Sequence, residues 1–201
     1  MSAGWLALFL LGAFVAGSVP FGWIFARLRG IDLKQVGSGN IGATNAARAL
    51  GRPIGVAVLL LDGGKAYLPV WLARHATAEL PDLGLPGLAP ALVGFAAICG
   101  HVFSPWLSWK GGKGVASMLG VFLALAPVSA LIAGAVWVLL YAAFRIASVG
   151  SLAAAAALGV AMLVRREPPG HLVVVGLTVA LVVLRHADNI KRLLARREGK
   201  V

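Results

Sequence analysis

Apolar positions fall in long uninterrupted runs rather than in amphipathic stripes or in alternation. The runs cover residues 3–26, 53–73, 88–107, 114–144, 150–164 and 171–187, with charges gathered in the short polar segments between them. Runs of this length predict membrane-spanning helices. A closed β-barrel would instead alternate over segments of about ten residues, and no such pattern occurs. Pro20 falls at the end of the first run and Pro53 at the start of the second. The amino-terminal run lacks a basic n-region and reads as a first span rather than a cleaved signal peptide. The expected architecture is an all-α polytopic membrane helix bundle, one domain over residues 1–201.

The run 114–144 holds 31 residues without a charge. As one helix it would be about 46 Å long, against a hydrocarbon core of about 30 Å. Pro127 lies near its middle, where it breaks or kinks a helix. Charge decides between one span and two. With one span, basic residues outside the membrane divide nine against eight between the two sides; with two, they divide fourteen against three. The positive-inside rule selects two. Seven spans result, with the amino end outside and the carboxyl end in the cytoplasm, the halves being about 13 and 17 residues long. The tail from Asn189 sets Ile190, Leu193 and Leu194 near one face among basic residues and predicts a helix lying in the membrane interface.

Composition agrees: 60% of residues are hydrophobic and 12% charged, against about 25% charged in soluble domains. The net charge of +11 flanks apolar runs, so it signals orientation and anionic lipid headgroups rather than nucleic acid. Cys99, the one cysteine, lies in an apolar run and has no partner within the chain. The loop 74–87 carries Glu79, Pro81, Asp82 and Pro86.

The seven-span topology brings four polar or glycine-rich stretches to one face. The first, GSGNIGATNAAR (37–48), holds Gly37, Gly39 and Gly42 with Ser38, Asn40, Thr44, Asn45 and a closing Arg48. Glycines let backbone N–H groups crowd onto an anion, and the small polar side chains add hydrogen bonds. A plain interhelical turn is the alternative. The second stretch is GHVFSPWLSWKGGKGVAS (100–117), whose core is Lys110-Gly111-Gly112-Lys113-Gly114; it lacks the spacing of a nucleotide P-loop. Ser148 and Ser151 begin the sixth span, and His186 and Asn189 end the seventh.

This face is rich in cations (Arg48, Lys110, Lys113, Arg185, Lys191, Arg192) and poor in carboxylates (Asp32, Asp188). It suits phosphates. Metal-ligand spacings are absent, so metal chemistry and a metal cofactor are not expected. The nucleophile elbow of serine hydrolases is missing. So is the H-x-x-x-x-D pattern of the commonest glycerolipid acyltransferases: the fifth residue after each histidine is never aspartate. Asp62 and Lys65 are intramembrane and three apart, which lets them neutralise each other. His101 reads as a satisfied helix-end residue.

GSGNIGATNAAR, GHVFSPWLSWKGGKGVAS and the terminal RHADNIKRLLARRE together resemble the three motifs of the bacterial acyl-phosphate:glycerol-3-phosphate acyltransferases, and the resemblance extends over the whole chain. Departures are Ile41 where proline is usual, Ser117 for threonine, and Arg196 at a usual glycine position; Glu198 is kept. The resemblance implies transfer of a fatty acyl group from acyl-phosphate to glycerol 3-phosphate, giving lysophosphatidic acid and inorganic phosphate, without cofactor, at the cytoplasmic face of a bacterial inner membrane. It implies that Arg48, Lys113 and His186, with Ser151 and Asn189, bind the phosphate of glycerol 3-phosphate. The 37–45 loop would cradle the acyl-phosphate head, and Gly111 and Gly112 would be substrate-binding. The hydroxyl proton would pass to His186 or to a substrate phosphate. The competing reading is a small membrane transporter of phosphate or an organophosphate, prompted by Asp62, Lys65 and the short helices around Pro127.

Overall fold

The computed structural model describes residues 2–76, 80–81 and 83–199; Glu79 and Asp82 of the expected loop lie outside them. All regular structure among the described residues is helical. Helix α1 (Ser2–Ser18) stops before Pro20, and α2 (Phe21–Arg27) continues in the same direction to complete the first apolar stretch. The polar segment that follows is not all loop. A short 3-10 turn at Leu33–Gln35 leads to a loop, and α3 (Ala43–Leu50) begins where alanines replace glycines. Gly51, with φ +95°, separates α3 from α4 (Arg52–His75), which has Pro53 in its first turn, where a missing N–H costs nothing.

Helix α5 (Leu88–Val102) ends in a 3-10 turn at Pro105–Leu107. The long apolar run then divides as expected, at Ala126. Helix α6 (Val115–Leu125) has 11 residues and α7 (Pro127–Phe144) has 18. Helix α8 (Ala147–Val164) starts three residues before the expected 150, and α9 (Pro169–Arg185) two before the expected 171. His186 then breaks the helix axis by 58°, and α10 (Ala187–Leu194) follows. Among the described residues, five stretches can cross a membrane by length and composition, or six if the bent α9–α10 pair counts as one.

Side-chain contacts fix the directions of these helices. Ser117 Oγ donates to Asp62 O at 3.1 Å, and Arg74 donates to Ala124 O near the far end of α4. So α6 runs parallel to α4. At Ala126 the chain turns back: Ser129 at the start of α7 meets Glu167, and Trp137 further along meets Ser151 of α8. Because α6 is only about 16 Å long, it starts level with Asp62, well inside the bundle. Its tight seam with α4 depends on Gly120, where a Cβ would run into Gly63 O.

The core is lined by small residues and a few large ones, including Phe122, Ile98, Met118, Leu158 and Met162. Leu8, Leu60, Leu139, Leu163 and Val164 point outward and are exposed. Small residues inside and large aliphatic ones outside is the arrangement expected where lipid, not water, surrounds the bundle.

Candidate active site

The loop at 37–42 is held by one side chain. Asn45 is buried, and its Oδ1 accepts the Ser38 N–H at 3.0 Å. Its Nδ2 faces Leu33 O at 3.1 Å, Val36 O at 2.9 Å and Asn40 O at 2.9 Å. The Asn45 amide is thus engaged with the loop's own backbone, although the residue borders the cavity below. Gly37 and Gly39 adopt φ +57° and +67°, which the tight reversal requires. Held this way, the loop presents Ser38 and Asn40 inward, with Gly42, Thr44 and Arg48 beside them.

The second glycine stretch is folded back onto the end of α5. Gly111 N–H donates to Val102 O and Gly112 N–H to His101 O, both at 3.0 Å. Arg185 holds the same peptides from the other side, reaching Gly111 O at 3.3 Å and Gly112 O at 3.4 Å. A Cβ on Gly112 would collide with the His101 ring, so a bare glycine is what allows this approach. The result places Lys113 at the centre of the site.

Lys113 Nζ donates to Asn189 Oδ1 at 2.5 Å. The Asn189 amide has only one orientation open to it, because its Nδ2 donates to Glu198 Oε1, also at 2.5 Å. Glu198 accepts in addition from Ser148 Oγ at 2.9 Å and from Arg192 Nε at 2.6 Å. Burial opposes ionisation of Glu198, but the hydrogen bonds from Arg192, Asn189 and Ser148 outweigh it and hold the carboxyl below its ordinary pKa. Lys113 is pushed down to about 8, first by burial and then by Arg192 and Arg185, with Glu198 and Asp188 acting in the opposite direction.

His186 is buried, and its Nδ1 lies 2.8 Å from Val182 O. A carbonyl can only accept, so Nδ1 carries the proton and the neutral ring keeps its lone pair on Nε2. Ser151 Oγ donates to Ala147 O at 2.8 Å and accepts from Trp137 Nε1 at 3.2 Å.

These groups border two cavities. The inner one, about 410 Å³, runs from Ser38, Arg48, Lys113, His186 and Asn189 down between α6, α7 and α8, where Met118, Leu119, Leu123, Leu131 and Val138 line it. The outer one, about 500 Å³, is a vestibule rimmed by Lys34, Lys110, Arg185 and Arg192, with Asp188 among them. Ser38, Asn40, Lys113 and Asn189 belong to both. Of the residues expected in the site, Gly39 and Gly111 border the vestibule, Gly42, Thr44, Asn45 and Ser151 the inner cavity, and Gly37 and Gly112 support the loops without lining either.

Three lining residues were not expected. The sequence marks Glu198 only as part of the terminal motif, and Asp62 as half of an ion pair and a prompt for the transporter reading, not as part of this site. That pair exists, Lys65 Nζ lying 2.7 Å from Asp62 Oδ1, and Asp62 also borders the inner cavity. His101 differs from its reading as a satisfied helix-end residue. It lines the same cavity, and its Nδ1 is buried without a hydrogen-bond partner among the described residues. The cause is geometric: Asp62 Oδ1 stops 3.7 Å away.

The sequence profile described as glycerol-3-phosphate acyltransferase matches residues 7–196. The chain belongs to this family. The glycerol-3-phosphate acyltransferase of Trichlorobacter lovleyi is 46% identical over 202 residues, covering 100% of this chain and 98% of that one. That of an Anaeromyxobacter species is 44% identical over 204 residues, covering 100% and 99%. The crystal structure of PlsY, an integral membrane glycerol 3-phosphate acyltransferase, in its glycerol 3-phosphate form superposes with a TM-score of 0.90 at 36% identity, covering 98% of this chain and 95% of that one. The lysophosphatidic acid form gives 0.88 at 35%, covering 97% and 94%. This acyltransferase is therefore an integral membrane enzyme of phospholipid biosynthesis, and its two glycine-rich loops and most of its terminal motif lie inside the matched region.

Proposed function

We propose that the enzyme transfers the acyl group of a fatty acyl-phosphate to the primary hydroxyl of glycerol 3-phosphate, at the cytoplasmic face of a bacterial inner membrane. The observation that carries this reading is the shared wall of the two cavities. A basic vestibule suits the entry of a small phosphorylated alcohol, an apolar cavity between helices suits an acyl chain, and Lys113 and Asn189 stand where the two meet, with Arg48, Ser151 and His186 at the polar end of the inner cavity. The related PlsY structures in glycerol 3-phosphate and lysophosphatidic acid forms support the same acceptor and product.

The mechanism follows from the donors available. Lys113, Arg48 and Asn189 hold the phosphate of glycerol 3-phosphate by charge-assisted and neutral hydrogen bonds, and Ser151 joins them by turning its hydroxyl from Ala147 O to the phosphate. The loop at 37–45, with Ser38, Asn40, Thr44 and its backbone N–H groups, holds the acyl-phosphate head, while Asn45 keeps the loop in shape. His186 Nε2 accepts from the acceptor's primary hydroxyl and points it at the acyl carbon. That oxygen forms the new C–O bond as the bond to the phosphate oxygen breaks. The hydroxyl proton leaves on the departing inorganic phosphate. The donor is a mixed anhydride with a good leaving group, so alignment and charge stabilisation supply most of the rate, without a cofactor.

The test uses purified protein in detergent with palmitoyl-phosphate and glycerol 3-phosphate, following lysophosphatidic acid and phosphate. Product at a rate well above background is expected, and folded protein without turnover would refute the reading. Lys113→Ala should lose about a hundredfold or more in kcat/KM while remaining folded.

Seven spans with the amino end outside is the topology that accompanies this reading. It is supported by the reversal at Ala126, the parallel course of α4 and α6, and the fourteen-to-three charge division. Single cysteines at positions 38 and 148, in a Cys99→Ala background, should then react with an impermeant thiol reagent from the same side. Reaction from opposite sides favours six spans.

A further inference from the structure

Asp62 sits midway along α4, 1% exposed, and borders the inner cavity together with Arg48, Lys113 and His186. Its surroundings hold it rigidly. Oδ1 accepts from Lys65 Nζ at 2.7 Å and faces the unpartnered His101 Nδ1 at 3.7 Å. Lys65 Nζ is itself tied to Val19 O at 2.6 Å, and the backbone carbonyl of Asp62 takes the Ser117 hydroxyl. Oδ2 receives no hydrogen bond from any described residue. A carboxylate at the wall of a reaction cavity with only one of its oxygens committed has room for a further donor.

Neither substrate phosphate suits that role, since both are chiefly dianions without a proton near neutral pH and are repelled by a carboxylate. The remaining polar groups of the two substrates are the hydroxyls of the glycerol unit. The primary hydroxyl must face the acyl carbon. The secondary hydroxyl takes no part in bond making, yet it leaves water on entering a largely apolar cavity and needs a partner there. The other side chains that meet the substrates are chiefly donors: Arg48, Lys113, Ser38 and the amide of Asn40. Lys65 neutralises Asp62 locally, so the carboxylate can stand near bound phosphate.

We propose that Asp62, positioned by Lys65 and His101, accepts a hydrogen bond from the secondary hydroxyl of the acceptor and thereby selects a glycerol phosphate over simpler hydroxyalkyl phosphates. This rests on the acyl transfer proposed above. A site built around a substrate hydroxyl rejects the analogue lacking it far more strongly than an apolar pocket rejects a missing methylene.

The experiment compares two acceptors with palmitoyl-phosphate as donor: glycerol 3-phosphate, and 3-hydroxypropyl phosphate, which keeps the primary hydroxyl and lacks the secondary one. The wild-type enzyme should prefer glycerol 3-phosphate by about a hundredfold or more in kcat/KM. A preference below threefold overturns the proposal without any variant. In Asp62→Asn, which preserves shape, the Lys65 ammonium draws the amide oxygen to itself and turns the NH2 toward the cavity. The preference should then collapse to within about tenfold, through loss on glycerol 3-phosphate alone. Thermal melting of the purified variant in detergent checks its fold, and Asp62→Asn/Lys65→Met serves if the single variant unfolds. A folded variant that loses equally on both acceptors, or keeps the wild-type ratio, refutes the assignment. If wild-type protein acylates neither acceptor, the proposed reaction itself has failed instead.

Discussion

Glu198→Gln probes how the central cation is kept charged. Two hydrogen bonds of 2.5 Å in series across the Asn189 amide put the Glu198 carboxylate roughly 6 Å from the Lys113 ammonium. At that distance the attraction is about 3 kcal/mol at an effective dielectric constant of 20, and about 0.7 kcal/mol in a water-like medium. Lys113 borders the open vestibule as well as the inner cavity, so the effect on its pKa lies between these limits, about 0.5 to 2. Burial, Arg192 and Arg185 already hold Lys113 down at about 8, with Glu198 opposing them. The isosteric amide removes that opposition and keeps an oxygen for Ser148 and Asn189. Lys113 must be protonated to bind phosphate, so activity falls as pH rises through its pKa. In Glu198→Gln the alkaline limb should therefore move to lower pH, by about one unit. The assay is kcat/KM for glycerol 3-phosphate from pH 6 to 10, by phosphate release in detergent. Asp188, Arg185, Arg192 and His186 also face Lys113 and remain unchanged. Lys113→Arg assigns the limb: if Lys113 causes it, a guanidinium that stays charged removes it. A limb that stays in place in an active Glu198→Gln enzyme, or moves upward, refutes this account.

Asn45→Ala leaves the Ser38 N–H and the carbonyls of Leu33, Val36 and Asn40 without their partner; a loss of about 2 to 4 kcal/mol in stability is expected, read as a lower melting temperature with a raised KM. Gly120→Ala drives a Cβ into Gly63 O, in the α4–α6 seam beside Asp62. It should cost about 1 to 3 kcal/mol, read as a lower melting temperature of the purified protein in detergent. Arg196 holds φ +54°, and glycine there removes about 1 kcal/mol of left-handed strain, offset in part by glycine's greater entropy when unfolded. Arg196→Gly should raise the melting temperature by up to about 3 °C and leave kcat unchanged.

Arg196 also shows what a departure from a family motif means physically. The turn after α10 sets Arg196 at φ +54°, a conformation that glycine adopts freely, and its N–H donates to Leu193 O at 3.0 Å. The motif had marked a conformation, and the chain keeps it at some strain. Helix positions were legible for a similar reason. Long apolar runs state where helices lie, and Pro127 stated where the longest run divides, one residue after Ala126. The glycine-rich stretch 37–48 was legible as an anion-holding surface but not as loop and helix in succession. Its alanines outweigh its small polar residues from Ala43 onward, but a helix of 8 residues is too short a window for its period to be read.

The parts of the site that escaped the sequence are those created by depth. Asp62 and Lys65 could be read as partners from their spacing on one helix. Nothing local says that α6 begins level with Asp62, because that depends on an 11-residue helix packing in parallel with a 24-residue one. That mismatch leaves the Lys113 loop inside the bundle and draws His101, Asp62 and the tail's Glu198 around it. A helix of full length after Gly114 would have moved Lys113 out to the membrane surface, where its ammonium would be hydrated and its pKa close to the ordinary value for lysine. The short helix is therefore part of the chemistry: it holds a cation where burial and neighbouring charges set its ionisation near neutral pH, between a wet entrance for one substrate and an apolar one for the other.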